Sequence, residues 1–330
     1  YALRAKKVPA EHVVVFDEAQ RAWDADYVSY KHGDGVPGLS EPELLLKACE
    51  RIPGWCLVVA LVGDGQEIHR GEEAGLGQWG EAIERCRDPW RVHGPARLEG
   101  LFPGARATYE PDPLLDLTLS LRSHRATDLA IWVGLLLQGK LEAARALAES
   151  VTSPDGGGFE LYVTRDLGDA KRHIRDRYDG QPARRYGIVA SSKAKNLERH
   201  GIRNGYLDTR RVKVGPWFEA APDDALSGCR LDTVVTEFGC QGLELDFALL
   251  PWGDDFAWVE SGWKSVGPPS RGVRDPQRLR TNAYRVLLTR GRDGLCIFVP
   301  PEPRDRTDPT YDALLRAGVR ELPVLPVAGA

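Results

Sequence analysis

The chain has 330 residues, 42% of them apolar and 28% charged, enough for about two domains that each bury a core, which excludes a fibre, a peptide hormone and a linker. Its 35 Gly and 23 Pro form no collagen-like or low-complexity run. Lys and Arg number 44 against 48 Asp and Glu, a net charge of -4, so any contact with nucleic acid has to come from a local basic surface.

Residues 12–16, His-Val-Val-Val-Phe, read as a buried strand that runs directly into Asp17-Glu18-Ala19-Gln20. Two adjacent carboxylates at the carboxyl end of such a strand stand where open α/β sheets bind ligands. One carboxylate can hold Mg²⁺ while its neighbour orients or deprotonates an attacking water, as phosphoryl transfer requires. In isolation the same pair also fits a plain acidic cap on a following helix. Ser40-Glu41-Pro42-Glu43 is a capping box opening a helix through Glu50. A second strand at 57–62 leads into Gly63-Asp64-Gly65-Gln66-Glu67-Ile68, which offers an acid and an amide at the same sheet edge, or else a simple Asp-Gly turn.

Residues 87–113 are rich in Pro, Gly and Arg with little periodicity, the best candidate for a connection between domains. Leu119-Ser120-Leu121-Arg122-Ser123-His124-Arg125 then brings arginines out of an apolar stretch, and helical spacing follows at 127–137 and 141–147. Strands are expected at 159–164, 186–190 and 231–236, the last ending in Thr236-Glu237-Phe238-Gly239-Cys240-Gln241-Gly242-Leu243-Glu244, whose glycines allow close approach to a ribose or a nucleic-acid backbone. A further strand at 247–251 precedes a surface loop at 261–276. Asn282-Ala283-Tyr284-Arg285-Val286-Leu287-Leu288-Thr289-Arg290-Gly291-Arg292 and a last strand at 295–299 follow. Arg122 and Arg290 each fit a charge for a phosphoryl-transfer transition state or a basic side chain at a helix end. Strand alternating with helix predicts an α/β fold with a parallel sheet.

Six cysteines without a C-x-x-C pair, several inside apolar runs, are expected as buried free thiols in a reducing, cytoplasmic setting, and the seven His lack zinc-enzyme spacing. The longest apolar run, 55–62, is far short of the roughly 20 residues of a membrane span. The chain contains no Met and begins at Tyr1, which predicts a fragment or a processed chain. Phe238, Trp252, Phe256, Trp258 and Trp263 could stack on bases, but interleaved Asp254, Asp255 and Glu260 favour structural packing, and Arg184-Arg185 and Arg210-Arg211 read as solvated faces.

The ordered set D-E-A-Q, G-D-G-Q, L-R-S-H, T-E-F-G-C-Q-G-L-E and Y-R-V-L-L-T-R-G-R resembles motifs II to VI of superfamily 1 helicases, and more closely the Schlafen group-3-like DNA/RNA helicase domain. The resemblance extends over almost the whole chain, including Gly187-Ile188-Val189-Ala190-Ser191-Ser192 and Trp252-Gly253-Asp254-Asp255-Phe256. It implies two RecA-like parallel-sheet domains: residues 1–112 as the C-terminal part of the first, with motifs II and III, and residues 113–330 as the second, with motifs IV to VI. By the same resemblance Asp17 holds Mg²⁺, Glu18 activates water, and Gln20 and Gln66 report the γ-phosphate of ATP. Asp64 lies in the nucleotide-contacting turn, Arg122 and Arg290 are arginine fingers, and Gly242 and Glu244 lie near the ribose or the bound strand.

The implied activity is a nucleic-acid-dependent ATPase, a helicase or translocase acting on single-stranded DNA or RNA, with no membrane partner. Gln66 comes one position earlier than in the usual G-D-x-x-Q, and Phe238 and Gln241 stand where the fifth motif usually has His and Lys. The phosphate-binding G-x-x-x-x-G-K-[ST] is not in this sequence; the near match at 134–141 lacks the hydroxyl and falls in a helical pattern. That loop is expected upstream of Tyr1, which makes this chain inactive alone. The alternative is a non-catalytic, helicase-like nucleic-acid or protein-binding module.

Overall fold

The computed structural model describes residues 8–32, 38–63, 68, 71–72, 74–116, 124–153, 158–268 and 272–323. The chain divides into two compact units, one of residues 1–119 with 270–275 and one of residues 120–269 with 276–330.

In the first unit, β1 (Val13–Phe16) is followed by a 3-10 turn, α1 (Ala25–His32), α2 (Glu41–Cys49), β2 (Leu57–Ala60), α3 (Gly77–Glu84), β3 (Trp90–Gly94) and β4 (Ala107–Pro111). β1 pairs parallel with β2, Val13 opposite Leu57 and Phe16 opposite Ala60. Both bonds of the capping box form at the start of α2: Ser40 Oγ accepts from the Glu43 N–H and the Glu43 carboxylate from the Ser40 N–H. Phe16 and Val58 pack on the helix side of β1 and β2 against Leu46, Ala82 and Trp79. The other side stays open, with Val13, Val15 and Leu57 about half exposed at 48%, 61% and 50%. Residues 87–113, expected to connect domains, instead hold β3 and β4, which pair parallel and pack Trp90, Val92 and Ala107 on the α2–α3 core.

The second unit contains α4 (His124–Leu137), α5 (Leu141–Thr152), β5 (Glu160–Thr164), α6 (Leu167–Arg177), β6 (Tyr186–Ala190), α7 (Tyr206–Thr209) and α8 (Val214–Glu219). It continues with β7 (Val234–Thr236), β8 (Leu245–Pro251), β9 (Phe256–Val259), β10 (Gly262–Ser265), α9 (Pro276–Leu288), β11 (Gly291–Phe298), α10 (Arg304–Arg316) and β12 (Arg320–Glu321). Six strands form one parallel sheet in the order β12, β5, β11, β8, β6, β7. Its interior strands β6 and β8 are buried at every residue, as strands covered on both faces must be, with Asp246 in β8 paired to Arg184. The molecule is thus a mixed α/β protein, as the strand and helix pattern predicts.

The strand expected from Leu231 begins only at Val234, because Leu231 takes a left-handed φ of 58° that no strand accommodates. Within the loop expected at 261–276, Gly262–Ser265 form β10, an antiparallel partner of β9. All six cysteines are free, five of them buried, and burial pushes the thiols of Cys49 and Cys86 up to about 11 and that of Cys240 up to about 12. Among the described residues no group of His, Cys, Asp and Glu could hold a metal ion by itself, and no helix is long and apolar enough to cross a membrane.

Gly187 in β6 and Gly228 both face the indole of the fully buried Trp217, which lies 2.4 and 2.5 Å from where their Cβ atoms would sit. Gly187→Ala is therefore expected to destabilise by about 1–3 kcal/mol in urea denaturation, and Trp217→Phe, by making room, to cost less in the Gly187→Ala background than in the parent.

Candidate functional site

β1 delivers the acidic pair to its carboxyl end. Asp17 is exposed and its Oδ1 accepts the Glu18 N–H at 2.9 Å. Glu18 has φ 53°, a left-handed conformation that non-glycine residues adopt at a cost, which reverses the chain at the strand end. The following 3-10 turn, Ala19–Arg21, receives no side-chain cap, so the structure does not use these carboxylates as a helix cap.

Gln20, completely buried, holds the arrangement together. Its Nε2 donates to Glu18 Oε2 at 2.5 Å and its Oε1 accepts the Gly63 N–H at 2.9 Å, joining the acidic pair to the loop after β2. The Ala19 N–H donates to the Leu61 carbonyl at 2.8 Å, and the indole of Trp79 in α3 donates to the Ala19 carbonyl at 2.9 Å. The far end of the same loop is tied as well: buried Glu72 accepts the Ile68 N–H at 2.9 Å and pairs with Arg21 at 3.2 Å. Thus residues 18–21 grip both ends of the loop whose Asp64 and Gln66 were singled out; those two positions, like Arg122, lie outside the described residues. Arg21 and Glu72 were not recognised from sequence, and Arg21 directly follows D-E-A-Q.

The donor chemistry at Asp17 fits Mg²⁺: a hard carboxylate at a strand end, with Oδ2 unbonded among the described residues. A phosphate cradle of the G-x-x-x-x-G-K-[ST] type is not among the residues of this sequence.

The second unit gathers its candidates at the carboxyl ends of β6, β7 and β8. Glu237, just past β7, is buried, and its carboxylate accepts from the Ser192 N–H and Oγ, both at 2.8 Å. Asp255 accepts from Ser191 Oγ at 2.7 Å and from the Tyr284 hydroxyl at 2.8 Å. Arg280 of α9 donates to Ser191 Oγ at 2.8 Å and lies 3.1 Å from Asp255 and 3.8 Å from Glu237. Burial pushes the Glu237 carboxyl above the ordinary carboxylate range, against the pull of the Arg280 guanidinium and the Ser192 donors.

The turn after Glu237 places Gly242 at φ 80°, with open space around it and Glu244 exposed. Arg290 reaches this turn from the end of α9. Its Nη1 donates to the carbonyls of Leu243 at 2.9 Å and Cys240 at 3.3 Å, and its Nε to the Val286 carbonyl at 2.8 Å. Arg290 therefore both caps α9 and holds the Gly242 turn.

Trp252, Phe256, Trp258 and Trp263 are buried in one cluster with Tyr284, its stacked, tilted and edge-on ring pairs having centroids 4.5–6.2 Å apart, the structural packing that their acidic neighbours favoured. Only Phe238 of that set is exposed, at 41%. Arg184 pairs with Asp246 at 2.9 Å and Asp293 at 3.1 Å, a bracing role beyond that of a merely solvated face. The P-loop-like run at 134–141 is the end of α4 and the turn into α5.

Two outcomes follow. Gln20→Leu, which fills the space but leaves the Gly63 N–H without its acceptor, should lose about 1–3 kcal/mol of stability in urea denaturation. For Glu237 the folded form holds its proton to higher pH than the unfolded chain, so the parent loses stability as pH rises above the ordinary carboxylate range. Urea titrations at pH 5 and pH 8 should accordingly show Glu237→Gln gaining on the parent at the higher pH.

A family model described as Schlafen group 3, DNA/RNA helicase domain, matches residues 2–301. No curated protein matches the chain.

Proposed function

The chain belongs to the Schlafen group 3 DNA/RNA helicase domain family, and from that premise we propose that it serves a nucleic-acid-dependent ATPase of superfamily 1 helicase or translocase type. The observation that carries this reading is the Gln20 carboxamide, bonded at once to Glu18 and to the Gly63 N–H. A water-activating carboxylate and a γ-phosphate-sensing loop have to move as one if hydrolysis is to be reported to the rest of the protein.

In this reading both units are RecA-like. Asp17 holds Mg²⁺, which when bound would neutralise charge on the phosphates of ATP. Glu18 orients and deprotonates the attacking water, Gln20 and Gln66 respond to the γ-phosphate, and Asp64 lines the same turn. Arg122 and Arg290 supply positive charge to the transferring phosphoryl group, and Gly242 and Glu244 lie beside the ribose or the bound single strand of DNA or RNA. The left-handed backbone at Glu18 supports the assignment, since strain of this kind persists where the surroundings over-determine it, as they do at reactive sites.

Arg290 supports a second reading. Its guanidinium is engaged by the carbonyls of Cys240 and Leu243, which suits a helicase-shaped binding module without catalysis. A motor couples its two ligands, so a non-hydrolysable ATP analogue changes its affinity for an oligonucleotide; a scaffold shows no such dependence.

The decisive assay is Mg²⁺-dependent phosphate release by the native gene product, with and without a single-stranded oligonucleotide. Glu18→Gln should lower turnover by about 10² to 10⁴-fold and Arg290→Ala by about 10³ to 10⁵-fold. Normal turnover in either variant sinks the proposed mechanism.

A further inference from the structure

We infer that residues 193–213 of the second unit form a ridge that carries the phosphate backbone of a single-stranded nucleic acid, with Tyr206 stacking on a base. The inference rests on the nucleic-acid half of the proposed function and is independent of ATP hydrolysis.

Charge is the first observation. Between Lys193 and Lys213 the sequence has seven Lys or Arg against two acids, Glu198 and Asp208, a local net charge of +5 in a chain whose total is -4. All seven, Lys193, Lys195, Arg199, Arg203, Arg210, Arg211 and Lys213, are exposed. Among the described residues none of them pairs with a carboxylate, whereas arginines elsewhere are braced by acids, as Arg21 is by Glu72, Arg85 by Glu43 and Arg184 by Asp246. Exposed cations without carboxylate partners on one segment repel one another, and a polyanion relieves that repulsion while releasing its own counterions.

Placement is the second. The segment leaves the carboxyl end of β6, where ligands of parallel sheets bind. Asn204 folds it back, its Nδ2 donating to the carbonyls of Ser191 at 2.6 Å and Ala194 at 2.8 Å, so that Arg203 returns toward the root that carries Lys193 and Lys195. That root is fixed to the Glu237 carboxylate through Ser192, next to the turn with Phe238 and Gly242, and α7 packs against β7. A strand laid on the ridge therefore borders the motif that the proposed function assigns to nucleic-acid contact.

Chemistry of the surface is the third. Tyr206 is 75% exposed, and the Arg210 guanidinium sits 5.8 Å from its ring centroid. A ring open to solvent beside a cation offers a base both a π-face and a charge for the adjoining phosphate, the combination that sequence-tolerant single-strand binders use. An acidic protein or an anionic membrane would use the charges and leave the ring unexplained.

The test is fluorescence anisotropy of a fluorescein-labelled U or dT oligomer of about 20 nucleotides, titrated with the purified chain across a series of KCl concentrations. Lys193→Glu/Lys195→Glu and Arg210→Glu/Arg211→Glu are each expected to weaken binding at least about tenfold and to reduce the slope of log affinity against log salt by about 1.4, two contacts at about 0.7 each. Tyr206→Leu should cost about tenfold with the slope unchanged. Lys140→Glu/Arg145→Glu, an equal charge change around α5, should stay within about twofold of the parent. Circular dichroism melts establish that each variant folds, and the two ridge pairs lie on separate parts of the segment, so a fault in one leaves the other to decide.

Unchanged binding in the folded ridge variants overturns the inference, as does an equal loss in the α5 control. Binding of the parent to phosphatidylserine vesicles but to neither oligomer also overturns it and gives the surface to a membrane. Oligomer binding through the ridge, with no oligonucleotide-stimulated ATPase from the native gene product, upholds the interface and removes the motor. Normal stimulation by oligonucleotide in both ridge variants keeps the motor and removes the interface.

Discussion

The Gln20 carboxamide is the constraint from which the first unit's candidate site follows. A primary amide with no solvent exposure has to find both a donor and an acceptor inside the protein or forfeit a large desolvation penalty. Gln20 finds them in the Gly63 N–H and the Glu18 carboxylate, and meeting both sets where the strand after β1 turns and where the loop after β2 begins. The left-handed kink at Glu18 turns the chain so that residue 20 points inward, and the Trp79 indole locks the kink by taking the Ala19 carbonyl. Through Gly63 where the loop begins and, by way of Arg21 and Glu72, Ile68 beyond it, the acidic dipeptide is tied to a segment more than forty residues away in sequence. Such coupling gives the dipeptide a fixed position relative to the end of β2 that an isolated acidic turn would lack.

The second unit solves a harder version of the same problem, with charges in place of an amide. Arg280, Asp255 and Glu237 meet at the ends of three neighbouring strands, and each carboxylate is supplemented by hydroxyl or backbone donors from Ser191, Ser192 or Tyr284. Ion pairs of this kind contribute little net stability once desolvation is counted, but they are costly to break singly. Their consequence here is geometric. The network fixes α9 against β6, β7 and β8, and the helix then delivers Arg290 to the Cys240 and Leu243 carbonyls, so the turn bearing Gly242 inherits its shape from a cluster whose arginine, Arg280, stands ten residues before Arg290.

Sequence alone captures much of this because burial imposes patterns that survive without a structure. All seven expected strands exist, and the capping box forms both of its bonds, since apolar runs and S-x-x-E spacing are local signals with local causes. What sequence does not reveal is settled by contacts across long separations. β3 and β4 are half-exposed strands in a segment rich in Gly, Pro and Arg, and their pairing depends on a core built from α2 and α3. The aromatic residues after β8 carry the same letters whether they meet bases or one another, and Leu136 and Tyr284, supplied from distant helices, decide for the interior. Arg210-Arg211 reads as a solvated pair, and the fold adds that all seven cations of residues 193–213 are exposed and that Asn204 brings Arg203 back toward Lys193 and Lys195. The Arg290 guanidinium likewise gains its carbonyl partners only once the β7–β8 turn is in place.

The bare face of β1 and β2 has a bearing on how this polypeptide behaves outside its native setting. Among the described residues the two strands pair only with each other, and Val13, Val15 and Leu57 stand clear of any helix on the open side. Parallel strands are ordinarily sealed on both faces, and a short β-branched ribbon with unsatisfied rims is a template on which further extended segments of any origin can add. Rim and face therefore call for different partners: an extended segment can pair with the rim, whereas only a helix or another apolar surface can cover Val13, Val15 and Leu57.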